Sequence, residues 1–528
     1  MPQSGGLFHD GGAQYVSSKG FALKSYIIAA MSQEFSAVPF ADRGRASESL
    51  PRLGQRLAPE LMLSLASLLA HSPDPDGALQ LLDRYAEAAP PDVLEGLALH
   101  PTALIYLVAI FGHSQPLAET FLEDSSLAVQ FARDRHFTKL RSIEDLMQAY
   151  ARYSVTSPDL WLSSQLARFK RRNILRIALK DILRLSTLGE TTLELSTLAD
   201  VILKNALSYC DQELAKRYGR PQYRDHEGRV APSGFSIVSL GQLGGNELSY
   251  SSNIDLLFLY AREGETAGGS ENSSIIANKE YFVRLAEAVN RTVTQPTPHG
   301  EVYRVNLLQR PEGEQGDFAI SLNSALEYYD HRARGLELQV LMKARHSAGD
   351  PRLTREFLHG VEPYIYRSPN GSKIPPSELG DRENNSVVQH ASRDGAMDVR
   401  HHRGGIRDID FLVQQLQHMH GANDRWVRSG GTLLALRRLN DKGLLSDANY
   451  ARLTSAYEFI RRVEHCIQLR ADPQAHRLPD DHAALDRLAR GVGIEMESRH
   501  DAGPALVAQL EENFARVDDI YSRVLGAK

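Results

Sequence analysis

The segment that most limits what this chain can fold into is Phe235–Asp255 with the strand that follows it. Phe235-Ser-Ile-Val-Ser-Leu240 reads as a strand, and Leu256-Leu-Phe-Leu-Tyr260 as another, joined by Gly241-Gln-Leu-Gly-Gly-Asn-Glu-Leu-Ser-Tyr-Ser-Ser-Asn-Ile-Asp255. Paired glycines after a strand let a backbone approach a phosphate chain closely, with amides free to donate to it. Gly244 and Gly245 are that pair. Residues two apart on a strand share a face, so Asn253 and Asp255 point together toward whatever the glycine turn holds. Glu301-Val-Tyr-Arg-Val305 reads as a third strand that runs into Asn306, which can reach the same face from a neighbouring strand.

Around this small sheet the pattern is helical. Short helical pieces run from Ala58 to about Ala151, opened by Leu61, Leu63, Leu65, Leu68 and Leu69 and punctuated by Pro51, Pro73, Pro75, Pro90, Pro91 and Pro101. Helical periodicity continues from Leu160 to Lys216; within its basic stretch Arg168–Arg176, Lys170, Arg171 and Arg172 read as a solvated face. A polar insert, Gly264–Ser274, precedes a helix from about Lys279 to Thr294; after Glu327 the chain is helical again, with a loop from Ser368 to about His402. Residues 1–57 read as a mobile leader, and both Met1 and Met31 are compatible with a translation start. The expected partition is leader 1–57, helical region 58–159, sheet-bearing domain 160–367 and helical bundle 368–528, an α+β protein that is mostly α overall.

With 42% hydrophobic and 24% charged residues, the 528-residue chain can bury two or three domain cores. Its 60 basic residues against 66 acidic ones leave no field that would draw nucleic acid or an anionic membrane. Cys210 and Cys466 are the only cysteines, too few for a disulfide framework or a zinc site, so a reducing cytoplasm is the expected setting. No apolar run approaches the roughly 18–20 residues that span a bilayer, and Tyr26–Met31 is too short for a signal sequence.

A glycine turn, a D-x-D strand and a third carboxylate together form the site of polymerase-β-like nucleotidyltransferases. Their carboxylates hold two Mg²⁺ ions, one activating the attacking oxygen and one on the nucleotide phosphates. More specifically, the sequence resembles the glutamine synthetase adenylyltransferases (glutamate–ammonia-ligase adenylyltransferases) from about residue 150 to its end. Gly241, Leu243–Gly245, Glu247, Leu248, Ser251, Ser252 and Ile254–Leu256 fit the family's G-K-L-G-G-x-E-L-x-x-S-S-D-I-D-L. Val305–Gly313 resembles V-D-x-R-L-R-P-x-G, and Glu337–Arg345 resembles E-R-x-A-x-x-K-A-R. Gly404–Phe411 resembles G-G-I-R-E-I-E-F, Tyr457–Glu464 resembles Y-x-F-L-R-R-x-E, and Leu478-Pro-Asp-Asp481 closes the match.

The resemblance implies a polymerase-β-like nucleotidyltransferase domain with a small mixed sheet, flanked by helical domains. It also implies AMP removal from, or transfer to, glutamine synthetase. The spelling is closer to the amino-terminal, adenylyl-removing module of the two that full-length members carry. The implied catalytic and metal positions are Asp255, Asn253 and Asn306, and the implied nucleotide or phosphate contacts are Gly244, Gly245, Ser252, Arg310, Lys343, Arg345, Arg407 and Asp410. Mg²⁺ and ATP, ADP or phosphate would be the cofactor and substrates. Glutamine synthetase, the PII signalling protein or a second adenylyltransferase module would be the partners.

The sequence departs from the family at telling places. Asn253 and Asn306 replace two of three carboxylates, and Gln242, Leu308 and Leu338 stand where the family has Lys, Arg and Arg. An amide carries no full charge and is no general base, so the metal site is weakened. Two other readings follow. One is a catalytically silent regulatory subunit that binds glutamine synthetase, PII or a partner module. The other is a nucleotidyltransferase that uridylylates PII, which the segments Glu337–Arg345, Gly404–Phe411 and Tyr457–Glu464 fit less well.

In the helical part, Ile406, Ile409, Leu412, Val413, Leu416 and Met419 form a core face, with Arg407, Asp410 and Gln414 on the other side. From Leu453 to Leu469 a second helix buries Ala456, Tyr457, Ile460, Val463 and Ile467 and displays Arg461, Glu464 and Gln468. His401 and His402, between Arg400 and Arg403, read as part of a basic loop rather than as metal ligands, and His418 and His420 point in different directions on one helix.

Overall fold

The computed structural model describes residues 34–157, 160–270, 274–333, 335–366, 397–470, 476–496 and 501–526. The chain forms two compact units, Met1–Phe137 and Thr138–Lys528. In the first, two of the prolines read as breaks begin helices, Pro75–Ala88 and Pro91–Leu99, as Pro59 begins Pro59–Ala70, whereas Pro51 lies inside the helix Arg43–Arg56. Proline suits the first position of a helix because its missing N–H would have no helical partner there. Asp74 caps its helix by accepting from the Gly77 amide at 3.0 Å. The core gathers Leu53, Leu65, Leu82, Tyr85, Leu107, Phe111 and Phe121.

Leu53 lies on the helix Arg43–Arg56, inside the stretch read as a leader, so the described end of that stretch is packed structure. Residues 1–33, with Met31, lie outside the described residues. The division after Phe137 also differs from the boundary expected after residue 159. The helix Ile143–Thr156 goes with the second unit because its Leu146 and Tyr150 enter the core beneath the sheet. Among the described residues no single helix is long and apolar enough to cross a membrane; Pro91–Leu99 and Thr102–His113 meet that test only as a pair bent by 108°.

The second unit carries the sheet. Its strands are β1 Pro221–Arg224, β2 Val230–Pro232, β3 Phe235–Leu240, β4 Ile254–Tyr260, β5 Glu265–Thr266, β6 Val305–Asn306, β7 Ala319–Ser321 and β8 Arg345–Gly349. The main sheet has the order β6-β4-β3-β8, with β7 also on β4; β1, β2 and β5 form a small separate sheet. β3 is antiparallel to both β4 and β8, whereas β6 and β7 run parallel to β4, making the sheet mixed.

Alternation divides β3 and β4 between two cores. Ile237, Leu256 and Phe258 face the helices Leu188–Tyr218 and Asn278–Thr294. Val238, Leu257 and Leu259 face Leu322–His331 and Pro351–Ile365. A third core holds the helices Ile406–Gly421, Thr432–Asp441, Asp447–Arg470, His482–Val492 and Ala502–Gly526. This is an α+β, mostly helical fold.

The third strand is shorter than its sequence suggested. Only Val305–Asn306 pairs, while Val302 and Tyr303 are buried in the core beneath the sheet. β7 and β8 escape a pattern reading because one is three residues long and the other, Arg345-His-Ser-Ala-Gly349, is half polar. The basic stretch is not simply a solvated face. Lys170 Nζ donates to the Val302 carbonyl and lies 4.0 Å from the centre of the Tyr303 ring, and Arg176 is buried in an ion pair with Glu194. Most of the loop expected at 368–402, with His390, lies outside the described residues.

Candidate functional site

The site is set by strand register. Leu240, the last residue of β3, pairs with Asp255 on β4, and Asp255 pairs in turn with Asn306 on β6. That brings Asn306 Nδ2 to 2.6 Å from Asp255 Oδ1. The other end of the same amide is also fixed, since Asn306 Oδ1 accepts from the Leu308 amide at 3.0 Å. Beside them Gly241 has φ +55, and a Cβ there would come within 2.3 Å of Asp255 Oδ2. Glycine at 241 is therefore what lets the carboxylate sit at the strand end. Burial pushes the Asp255 carboxyl up, opposed by the Asn306 bond and the charge of Arg400. Asn253 stands exposed one residue before β4.

The glycine pair does something other than what its spelling suggests. Gly241–Gly244 makes one helical turn. A Cβ on Gly244 would meet the Lys343 carbonyl at 2.1 Å, and one on Gly245 the Gly430 carbonyl at 2.7 Å. The pair thus admits the protein's own backbone from two directions. Beside it opens a cavity of about 440 Å³, walled by Leu188, Thr192, Leu433, Leu434 and Tyr457.

The loop between the turn and β4 is held from the C-terminal helices. Ser252 Oγ hydrogen-bonds Ser249 Oγ at 2.6 Å and also meets the buried Gln242 amide. With the Gln242 nitrogen toward Ser252, its oxygen accepts from Arg461 at 3.0 Å and from Arg400 at 3.1 Å. The Gln468 side-chain oxygen accepts from the Ser251 amide at 3.3 Å. Tyr250 donates to Asp181 at 3.0 Å, and His465 Nδ1 is 3.0 Å from the same carboxylate oxygen.

Of the cations expected to meet phosphate, the structure commits several to protein partners. Lys343 is buried, its Nζ 3.0 Å from Glu247, 3.2 Å from Asp410 and 3.2 Å from Thr432 Oγ1. Burial alone would lower its pKa, but Asp410 and Glu247 hold it above the ordinary lysine value. Arg345 donates to Asp200 at 2.7 Å and to the Leu243 carbonyl at 3.1 Å. Arg310 is buried over the Phe318 ring and donates to the Glu314 carbonyl at 3.3 Å. Asp410 belongs to the Lys343 cluster, whereas Arg407 is exposed.

Arg461 and Glu464, read as displayed, are fully buried and paired at 2.7 Å, and Arg461 also donates to the Glu247 carbonyl at 2.6 Å. Their charge made them look like a solvent face; their helix instead lies between the bundle core and the site loop. Arg400 is the residue the sequence reading left without a role. The only signal for it was its place in the basic run Arg400–Arg403. In that run His401 pairs with Asp398 at 3.2 Å, and the His402 ring stacks on Phe514.

A pair of Mg²⁺ ions needs several converging oxygen donors, and the residues present do not supply them. Asp255 is the one carboxylate of the strand set, Asn306 turns an N–H toward it, and a guanidinium faces it. Among the described residues no group of three His, Cys, Asp or Glu side chains is placed to hold a metal ion.

Comparison with known proteins fits this layout. Residues 104–360 match the family profile described as glutamate-ammonia ligase adenylyltransferase. Residues 382–525 match one described as GlnD PII-uridylyltransferase. The second match takes in Gly404–Phe411 and Tyr457–Glu464, so those two segments do not set the chain apart from PII-uridylyltransferases, contrary to the sequence reading. A bifunctional glutamine synthetase adenylyltransferase/adenylyl-removing enzyme from Thioalkalivibrio sulfidiphilus is 30% identical over 454 residues, 85% of this chain and 44% of the relative. Proteins of the same description from Hahella chejuensis and Xanthomonas campestris pv. campestris are each 32% identical, over 74% and 65% of this chain and 40% and 35% of their own lengths. The chain thus spans less than half the length of these relatives. By that likeness along most of its length, the chain belongs to the glutamate–ammonia ligase adenylyltransferase family.

Proposed function

We propose that this chain acts in the reversible AMP modification of glutamine synthetase, and so in the control of nitrogen assimilation, as a counterpart of the adenylyl-removing half of its longer relatives. The observation that carries the reading is the register that sets Asp255 and Asn306 side by side at the glycine turn, in a chain related to those enzymes. In the removing direction, an oxygen of inorganic phosphate bonds to the phosphorus of the attached AMP. The bond from that phosphorus to the glutamine synthetase oxygen breaks, yielding ADP and the unmodified enzyme. In the opposite direction ATP supplies the AMP and pyrophosphate leaves. Asp255 and Arg407 border the reacting phosphates, and Lys343, Asp410 and Arg345 shape the site from within. The helical part, through its match to a PII-uridylyltransferase profile, supports PII or a second adenylyltransferase module as a further partner. A reducing cytoplasm suits its two free cysteines.

The test is direct: adenylylated glutamine synthetase with phosphate is assayed for ADP, and the unmodified enzyme with labelled ATP for incorporation. ADP release or incorporation above a no-protein control supports the reading. A second reading, a catalytically silent subunit that binds glutamine synthetase, PII or a partner module, is favoured by the Asn306 amide on the lone carboxylate. Stable binding of glutamine synthetase with neither reaction supports it, and absence of both binding and reaction overturns both.

A further inference from the structure

The charges around Asp255 are arranged against a dication and in favour of an anion. Asn306 is pinned at both ends, its nitrogen on Asp255 and its oxygen on the Leu308 amide. Turning it to offer oxygen to a metal would set that oxygen against a carboxylate and its NH₂ against an N–H, losing both bonds. The Arg400 guanidinium acts on Asp255, and Arg407 neighbours Arg400. The Arg407 amide donates to the Arg400 carbonyl at 3.2 Å, and the two side-chain charges act on one another. Arg400 is steadied on its inner side by Gln242 at 3.1 Å and by Glu464 at 3.9 Å, yet its side chain stays 28% exposed. Arg461 and Glu464 are fully buried and neutralise each other, which leaves Arg400 as the guanidinium that acts on the Asp255 carboxylate, with Arg407, itself balanced in part by Asp408, beside Arg400.

We infer that this site takes the phosphates of a nucleotide directly, without a divalent ion, with Arg400 as the principal contact and Arg407 as the second. A planar guanidinium presents paired N–H groups that match phosphate oxygens, and it cannot lose its charge at any working pH. It therefore supplies the charge that a metal would otherwise bring. The Gln242–Arg461 contact fixes the direction in which the Arg400 fork faces. This rests on the reading of the strand end as a nucleotide site.

Calorimetric titration of the full chain with ATP, once in EDTA and once in excess Mg²⁺, tests it. Affinities within about twofold of each other are expected, since no metal contributes. Arg400→Ala is expected to weaken binding about tenfold or more in both buffers, the usual loss for a charge-assisted contact. Because Arg400 also touches buried Glu464, Arg407→Ala at an exposed position is measured beside it, with a loss of about threefold expected for a more hydrated contact. Asn253→Asp with Asn306→Asp should lose affinity in EDTA and regain it with Mg²⁺. Binding by the natural chain only with Mg²⁺ overturns this inference and leaves the nucleotide-site reading standing. No binding in either buffer overturns both, and unchanged affinity in both arginine variants overturns the assignment to Arg400 and Arg407.

Discussion

Replacing Lys343 with methionine separates a phosphate ligand from a buried structural cation. Methionine keeps most of the aliphatic stem and removes the ammonium that Glu247, Asp410 and Thr432 share. The Thr432 hydroxyl contacts both carboxylates but has one hydrogen, so it can donate to only one at a time. Glu247 also keeps the Thr432 amide at 2.5 Å. Asp410 is the carboxylate left short, facing a second negative charge with little water between them. Breaking a buried pair from one side costs about 3–5 kcal/mol. Asp410 keeps 22% of its side-chain surface, which places the expectation near the lower end, about 3 kcal/mol. Urea unfolding followed by far-ultraviolet circular dichroism measures it, since Trp161 and Trp426 are both exposed in the fold and their fluorescence would change little. The Lys343 pKa is raised in the fold. Its stabilisation is therefore complete below the unfolded value of about 10.4 and is lost as pH rises through the higher folded value. The natural chain should lose stability more steeply in that alkaline range than Lys343→Met, since both keep the buried tyrosines whose raised pKa also costs stability there. A loss under about 1 kcal/mol, with a clear fall in ATP affinity, would refute this reasoning and restore Lys343 as a phosphate contact.

Four further measurements follow from the same geometry. Gly241→Ala puts a side chain at positive φ and within 2.3 Å of Asp255 Oδ2, so a loss of at least about 1 kcal/mol in chemical unfolding is expected, together with weaker ATP binding. Gly244→Ala meets the Lys343 carbonyl at 2.1 Å and should cost more than Gly241→Ala, because backbone on both sides must move. Glu464 is held low by Arg461, His476 and Arg400 although burial alone would raise it. Its contribution is present above the unfolded value of about 4.3 and is lost as pH falls through the lower folded value, so Glu464→Gln should lose stability at neutral pH and flatten the acid limb of the stability curve. Asn306→Asp sets two carboxylates side by side. Its melting temperature should fall in EDTA and recover with Mg²⁺, whereas that of the natural chain should not respond to Mg²⁺.

The sequence by itself determined the two central strands and the nearness of Asp255 and Asn306 at one end of a small sheet, whereas Asn253 lies just before the strand rather than on it. β3 is a largely apolar run between Gly234 and Gly241, β4 is apolar from Leu256 to Tyr260, and a two-residue period assigns faces without knowledge of the partner strand. The separated motifs carried the family relationship as well. Tertiary structure alone decided how the charged residues are used. Lys343, Arg345, Arg461 and Glu464 look in sequence like groups free for a ligand, yet each is paired: Lys343 with Glu247 and Arg345 with Asp200 across long stretches of chain, and Arg461 with Glu464 three residues along its own buried helix face. A sequence pattern records polarity, not the partner that satisfies it, and a buried charge is admissible only when that partner is in place. The same limit hid the meaning of Gly244 and Gly245, where the close approach is made by the protein's own carbonyls. It also hid Arg400, whose importance lies in facing Asp255 across 145 residues of sequence.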